Sequence, residues 1–170
     1  PGIRMASGSL GQGLSVGIGA AATKKLNGDD SLVYTLHGDG EMQEGQIWEA
    51  ALYASAKKVD NLIATIDYNG RQIDGDLEDI ISLGNLTQKW QAFGWEVLEM
   101  DGHNIDKIRA TLAKAKSLTG KGKPIMIVMA TEMGQGVDYM MGTHKWHGAA
   151  PNDEQLTSAL GQLEETLGDY

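Results

Sequence analysis

No cysteine occurs among the 170 residues, so disulfides, thiolate zinc sites and cysteine nucleophiles are excluded together. Their absence fits a cytoplasmic protein, which is the expected location. Basic residues are in deficit: 14 Lys and Arg stand against 23 Asp and Glu, a formal net charge of −9. That balance gives no basic surface for nucleic acid or an anionic membrane. No apolar run approaches the ~18 residues of a membrane span. Proline is scarce, at three residues, and the glycines follow no G-x-y period, so neither collagen nor a low-complexity linker is present. The start at Pro1, without Met or a signal peptide, leads us to expect a chain that begins partway through something longer.

What is abundant is glycine. The 23 glycines are roughly twice the usual share of about 7%. They serve tight turns, close helix packing or backbone approach to a ligand. Hydrophobic content of 41% with 22% charged residues describes a globular chain with a buried core, long enough for one domain over residues 1–170.

Hydrophobic period and punctuation predict alternating helices and strands. Ser9–Leu26 is a small-residue helix whose Gly13, Gly17 and Ala21 form a face that admits another backbone. Strands are expected at Leu32–Leu36, Leu62–Asp67, Trp95–Met100 and Pro124–Ala130, the last apolar enough to be central. Helices are expected at Gln46–Lys57, near Leu86–Phe93, and around Ile105, Ile108, Leu112 and Ala115. A last helix opens after Pro151 with Asp153 and Glu154 in its first turn and carries Leu156, Ala159, Leu160, Leu163 and Leu167 on one face. The fold class is therefore α/β: a mostly parallel sheet with helices on both faces. Such sheets bind ligands beyond the carboxyl ends of their strands.

Two strand ends carry the chemistry. The first runs into His37-Gly38-Asp39-Gly40 and the second into Asp67-Tyr68-Asn69-Gly70. Asp39 and Asn69 are one βαβ unit apart, so adjacent strands bring both side chains to one rim. Carboxylate and amide oxygens are hard ligands for Mg²⁺ or Ca²⁺, which take remaining ligands from phosphates and carbonyls. Gly40 permits backbone approach, and the following helix offers amides to a phosphate. Either motif alone is an ordinary turn; together they describe a cation holding a diphosphate.

The segments Gly38-Asp39-Gly40-Glu41-Met42-Gln43-Glu44-Gly45, ending at Asn69, Ser7-Gly8-Ser9-Leu10-Gly11-Gln12-Gly13, Asn69-Gly70-Arg71-Gln72-Ile73-Asp74-Gly75 and Thr143-His144-Lys145-Trp146-His147-Gly148 together resemble the thiamine-diphosphate-binding domain of transketolases, in particular the N-terminal subunit of transketolases split into two chains. The resemblance implies a two-carbon ketol transfer between sugar phosphates, with the thiazolium carbon of the cofactor as nucleophile. It implies that Asp39, Asn69 and the Arg71 carbonyl bind the cation and that the Gly40 amide and His147 contact the diphosphate. Gly8 and Leu10 would border the aminopyrimidine, and Ile73 would support the thiazolium ring. His147 stands near the reacting groups. Glu44 and Glu49 match family acids at the subunit interface that link the two active sites. The acid that activates the aminopyrimidine belongs to a partner, the pyrimidine-binding chain or domain, so the chain alone is expected to turn over nothing. The implied assembly is a dimer or heterotetramer. Family histidines upstream of Gly8 lie outside this chain.

Other readings stay open at the level of sequence. These are 1-deoxyxylulose-5-phosphate synthase, phosphoketolase, the first component of a 2-oxo acid dehydrogenase, and a noncatalytic scaffold. Gly11-x-Gly13-x-x-x-Gly17 lacks the preceding strand of a dinucleotide site. His144-x-x-His147 lacks a third zinc ligand. Asn104 is expected to cap the helix after His103, and Lys114, Lys116, Lys121 and Lys123 to form a solvated helix end. Trp48, Trp90, Trp95 and Trp146 form no stacking ladder with basic residues.

Overall fold

The computed structural model describes residues 2–164. Helix α1 (Gln12–Leu26) starts three residues later than its sequence pattern, because Gly11 turns into it at φ 83°. That left-handed conformation is open to glycine and closed to most other residues. At its far end Gly28, at φ 68°, completes the turn, and Lys24 pairs with Asp29 at 2.7 Å.

Strand β1 (Val33–Gly38) runs past its expected end through His37 and Gly38. A short 3-10 turn (Gly40–Gln43) then leads to α2 (Gly45–Ala56) and β2 (Leu62–Tyr68). Two features are absent from the sequence-derived outline. One is a small antiparallel hairpin of β3 (Arg71–Gln72) and β4 (Gly75–Asp76); the other is the single-turn helix α3 (Leu77–Ile81). The chain continues through α4 (Leu86–Ala92), β5 (Glu96–Asp101), α5 (Ile105–Leu118), β6 (Ile125–Ala130) and α6 (Asp153–Gln162).

The main sheet is parallel throughout, in the order β1-β2-β6-β5, with the apolar β6 interior as its composition predicts. One face is covered by α1, α2 and α4, whose Leu14, Ile18, Ile47, Ala51 and Trp90 bury Leu62, Ala64, Ile66 and Met126. Gly17 brings α1 so close to β1 that a Cβ there would run into the Thr35 side chain. Trp48, Trp90 and Trp95 pack among themselves in this core, with centroids 5.2 and 4.8 Å apart. The other face is covered by α5 over Ile63, Ile125 and Ile127, leaving Tyr34 and Leu36 of β1 half or more exposed.

Two apolar stripes are less buried than their spacing suggests. Ile105 is 68% exposed, because it opens α5 at the edge of the packed area. Of the α6 stripe only Ala159 is buried, while Leu156, Leu160 and Leu163 remain exposed; Leu167 lies outside the described residues. Helix α6 is instead begun by an Asn152–Gln155 capping box and fixed to the preceding loop by polar contacts, Gln162 to Asp138 and the Tyr139 hydroxyl to the Gln155 carbonyl. No helix among the described residues is long and apolar enough to cross a membrane.

Candidate functional site

The register pairs Gly38 of β1 with Asp67 of β2, so the residues just beyond each strand meet on one rim. Asp39 is the first of them and is almost fully buried, at 2% exposure. Its Oδ2 accepts the amides of Asn69 at 2.9 Å and Gly70 at 2.6 Å, and its Oδ1 accepts the Gly40 amide at 2.7 Å. The thirty-residue spacing therefore does bring Asp39 to the Asn69 turn. Burial pushes the Asp39 carboxyl above the usual carboxylate range; the three amides pull against that rise, and the nearby Asp67 charge adds to it.

Asn69 Oδ1 accepts the Arg71 amide at 3.0 Å, closing a tight turn in which Gly70 sits at φ 76°. Gly40 lies under the β3–β4 hairpin, where a Cβ would come within 3.1 Å of the Gln72 side chain. Its amide points at Asp39, so an amide contact with a diphosphate requires that bond to be exchanged. A buried carboxylate, an amide oxygen and the backbone carbonyls of this turn form an all-oxygen donor set, the kind Mg²⁺ or Ca²⁺ takes. Burial and a like charge weigh on Asp39 with only amides to offset them, and a bound cation would relieve both. Among the described residues no group of three His, Asp or Glu side chains gathers in metal-binding range. The remaining ligands of a cation here must come from carbonyls, water or a phosphate.

The other expected residues surround this rim. Ile73 is 65% exposed at the hairpin tip, and a Cβ on Gly148 would lie 3.7 Å from its Cδ1, which sets the histidine loop against it. His147 is exposed, its amide donating to the His144 carbonyl at 2.9 Å. Trp146 stacks edge-on against Tyr139 and donates to its carbonyl, a packing role. Gly8 and Leu10 lie on the exposed segment before α1; Glu44, just before α2, and Glu49 on it are exposed, with Glu44 making no side-chain capping bond. Asn104 caps α5 as expected, accepting the Lys107 amide.

Side chains without a role in the sequence reading complete the site. Glu132 Oε1 receives Arg71 Nη1 at 2.7 Å and the Gly142 amide at 2.9 Å, tying the metal-turn candidate to the histidine loop. The Gly142 amide and then the Arg71 guanidinium hold its carboxyl below the usual range. His103 Nε2 accepts the Glu132 amide at 2.7 Å. Glu41 and Gln46 reach back to residues 10–12 at the start of α1. These contacts are not legible in the sequence because, apart from the Gly142–Glu132 bond, each joins segments 29 to 61 residues apart with no period connecting them.

A family model for the transketolase thiamine diphosphate binding domain matches residues 1–166. One of the subunits of the apulose-4-phosphate transketolase of Phocaeicola vulgatus is 43% identical over 167 residues, covering 98% of this chain. The 6-deoxy-6-sulfo-D-fructose transketolase subunit SqwG of a Clostridium species is 43% identical over 164 residues, covering 96%. The chain spans 59% of the length of each of these relatives. Among solved structures, a transketolase from Campylobacter jejuni superposes with a TM-score of 0.83 at 36% identity, over 95% of this chain and 26% of that one.

Proposed function

The chain belongs to the transketolase family, matching its thiamine-diphosphate-binding domain, and from that membership we propose that it forms the diphosphate half of an active site that moves a two-carbon ketol unit between sugar phosphates. The observation that carries the reading is the buried Asp39 carboxylate joined to the Asn69 turn at the carboxyl rim of a parallel sheet. Asp39, Asn69 and the Arg71 carbonyl hold Mg²⁺ or Ca²⁺, which neutralises a diphosphate in a chain of net charge −9. The Gly40 amide and His147 take the phosphate oxygens. Gly8 and Leu10 line the aminopyrimidine, and Ile73 offers an apolar support to the thiazolium ring. His147, exposed on its loop, serves as a hydrogen-bonding group toward the substrate side. Thiamine diphosphate, when bound, supplies the nucleophilic thiazolium carbon, a chemistry no side chain offers.

Relatives whose names make them single subunits of a transketolase support a partner chain. We assign it the pyrimidine-binding role and the acid that activates the aminopyrimidine. Glu44 and Glu49, exposed at the start of α2 and on it, face that interface, and a dimer or heterotetramer in the cytoplasm completes the site. Without the partner the chain turns over nothing. The relatives' names include a sugar phosphate and a sulfosugar, so the substrate class is an anionic ketose.

Calorimetry of the chain with its pyrimidine-binding partner, thiamine diphosphate and Mg²⁺ tests the reading. Cofactor binding is expected, and Asp39→Ala is expected to abolish its Mg²⁺ dependence. No heat of binding, or binding indifferent to Asp39→Ala, would falsify the assignment. Ketol transfer from xylulose 5-phosphate to ribose 5-phosphate by the pair then tests the reaction, with pyruvate consumption pointing to a different member of the cofactor superfamily.

A further inference from the structure

Glu41 stands two residues beyond Asp39 in the 3-10 turn and touches two of the segments assigned to the cofactor. Its Oε1 accepts the Gly11 amide at 2.8 Å and its Oε2 accepts the Gly38 amide at 3.2 Å. The side chain is 11% exposed, and the buried His37 ring lies behind it, Nδ1 being 3.4 Å from Oε1. Gln46 of α2 adds a second tie to the same segment: its Nε2 donates to the Leu10 carbonyl at 2.8 Å and its Oε1 accepts Gln12 Nε2 at 2.9 Å. Gly11 sits on the Gln46 side chain at φ 83°, a position with no room for a Cβ.

Only a carboxylate can accept an amide on each of two oxygens at once, since a carboxamide presents a donor on one side. Both bonds are charge-assisted; the one from Gly11 is partly buried, where such bonds are strongest, and the longer one from Gly38 is exposed. Few other described contacts fix residues 8–11, all of them exposed apart from Gly11. We propose that Glu41 is a positioning residue for the cofactor. It sets the spacing between the Gly8–Leu10 segment and the Gly38–Gly40 turn, with Gln46 as its auxiliary, so that one thiamine diphosphate meets both ends of its site without ordering a loop. The inference rests on the functional reading above, in which these segments contact opposite ends of the cofactor. Its energetic content is preorganisation: the ordering cost is met on folding and not on binding.

A residue that only stabilised the fold would weaken every ligand alike, whereas a spacer between two segments matters to a ligand that touches both. The experiment therefore compares thiamine diphosphate with inorganic diphosphate, each titrated with Mg²⁺ into the chain and its partner, for wild type, Glu41→Gln and Glu41→Ala. We expect the variants to bind thiamine diphosphate about tenfold more weakly, the scale of one charge-assisted bond. Inorganic diphosphate, which does not reach the Gly8–Leu10 segment, is expected to stay within about twofold. Hydrogen exchange at the Gly11 amide is expected to accelerate in both variants. Equal weakening of the two ligands, or no weakening of thiamine diphosphate, overturns the proposal. Should Glu41→Ala fail to fold, Glu41→Gln, which keeps the shape and loses one acceptor, decides the outcome. Wild type that binds neither ligand sinks the functional reading and this proposal with it; normal wild-type binding with unaffected variants sinks this proposal alone.

Discussion

Asp39 and Glu132 are both carboxylates at one rim, and their surroundings push them in opposite directions. Burial raises Asp39, so protonation is easier in the folded protein than in the unfolded chain. The stability this contributes is complete below the ordinary Asp value of 3.8 and is lost as pH rises through the raised folded value. A cation acts the other way, needing the ionised form. Titrating Mg²⁺ into diphosphate-free protein at several pH values checks this: affinity is expected to climb across a window lying above pH 3.8 and then level. Glu132 is held low, so its contribution is present above the ordinary Glu range and lost as pH falls through the lowered value. Its side chain is 36% exposed, so solvent screens its ion pair and Glu132→Ala is expected to cost under about 1 kcal/mol in stability. Its mark is local: the Gly142 amide should exchange faster while the melting temperature hardly moves. The meeting of Asp39 with the Asn69 turn could be read from sequence because their spacing matches neighbouring strands. Glu132 could not, since its partners Arg71 and Gly142 share no element with it.

Close approach of α1 to β1 is set by one missing methyl. At Gly17 a Cβ would meet Thr35 Cγ2, so Gly17→Ala is expected to destabilise by about 1–3 kcal/mol through overpacking. Thr35→Ser, which removes that Cγ2, should recover part of the loss. Urea denaturation of the two single variants and the double variant measures the coupling directly. The Gly13, Gly17 and Ala21 spacing announced a face made for close packing but not its occupant, which proves to be a strand of the same chain. Long apolar elements such as β2 and β6 were legible because burial on both faces leaves an unbroken hydrophobic run. The β3–β4 hairpin was not, because strands of two residues have no period. Nor was the late start of α1, since Ser9 and Leu10 fit a helical pattern that Gly11 interrupts through backbone geometry alone.

Across the whole molecule the two faces of the sheet differ in how completely they are covered. Ile63 is fully buried beneath α5, whereas Leu36 on the same face is 70% exposed. Ile63→Ala is therefore expected to cost about 2–5 kcal/mol and Leu36→Ala no more than about 0.5 kcal/mol, a contrast that thermal or denaturant unfolding resolves. The alternation of elements made the parallel sheet and its central β6 legible, but the unequal covering depends on where α5 and α6 settle. All the residues assigned to ligand binding on the sheet lie at its carboxyl rim. The amino rim holds a separate set of ties: Lys25 Nζ pairs with Asp60 at 2.5 Å, and Asp60 accepts the Gly122 amide at 2.8 Å. Six-residue strands keep the two rims roughly 20 Å apart. That separation makes the amino rim a natural handle: a dye or an immobilising tether attached at the exposed Leu26–Asp30 turn would leave the opposite end of the sheet open to solution, ready for the proposed cofactor and partner to be added one at a time.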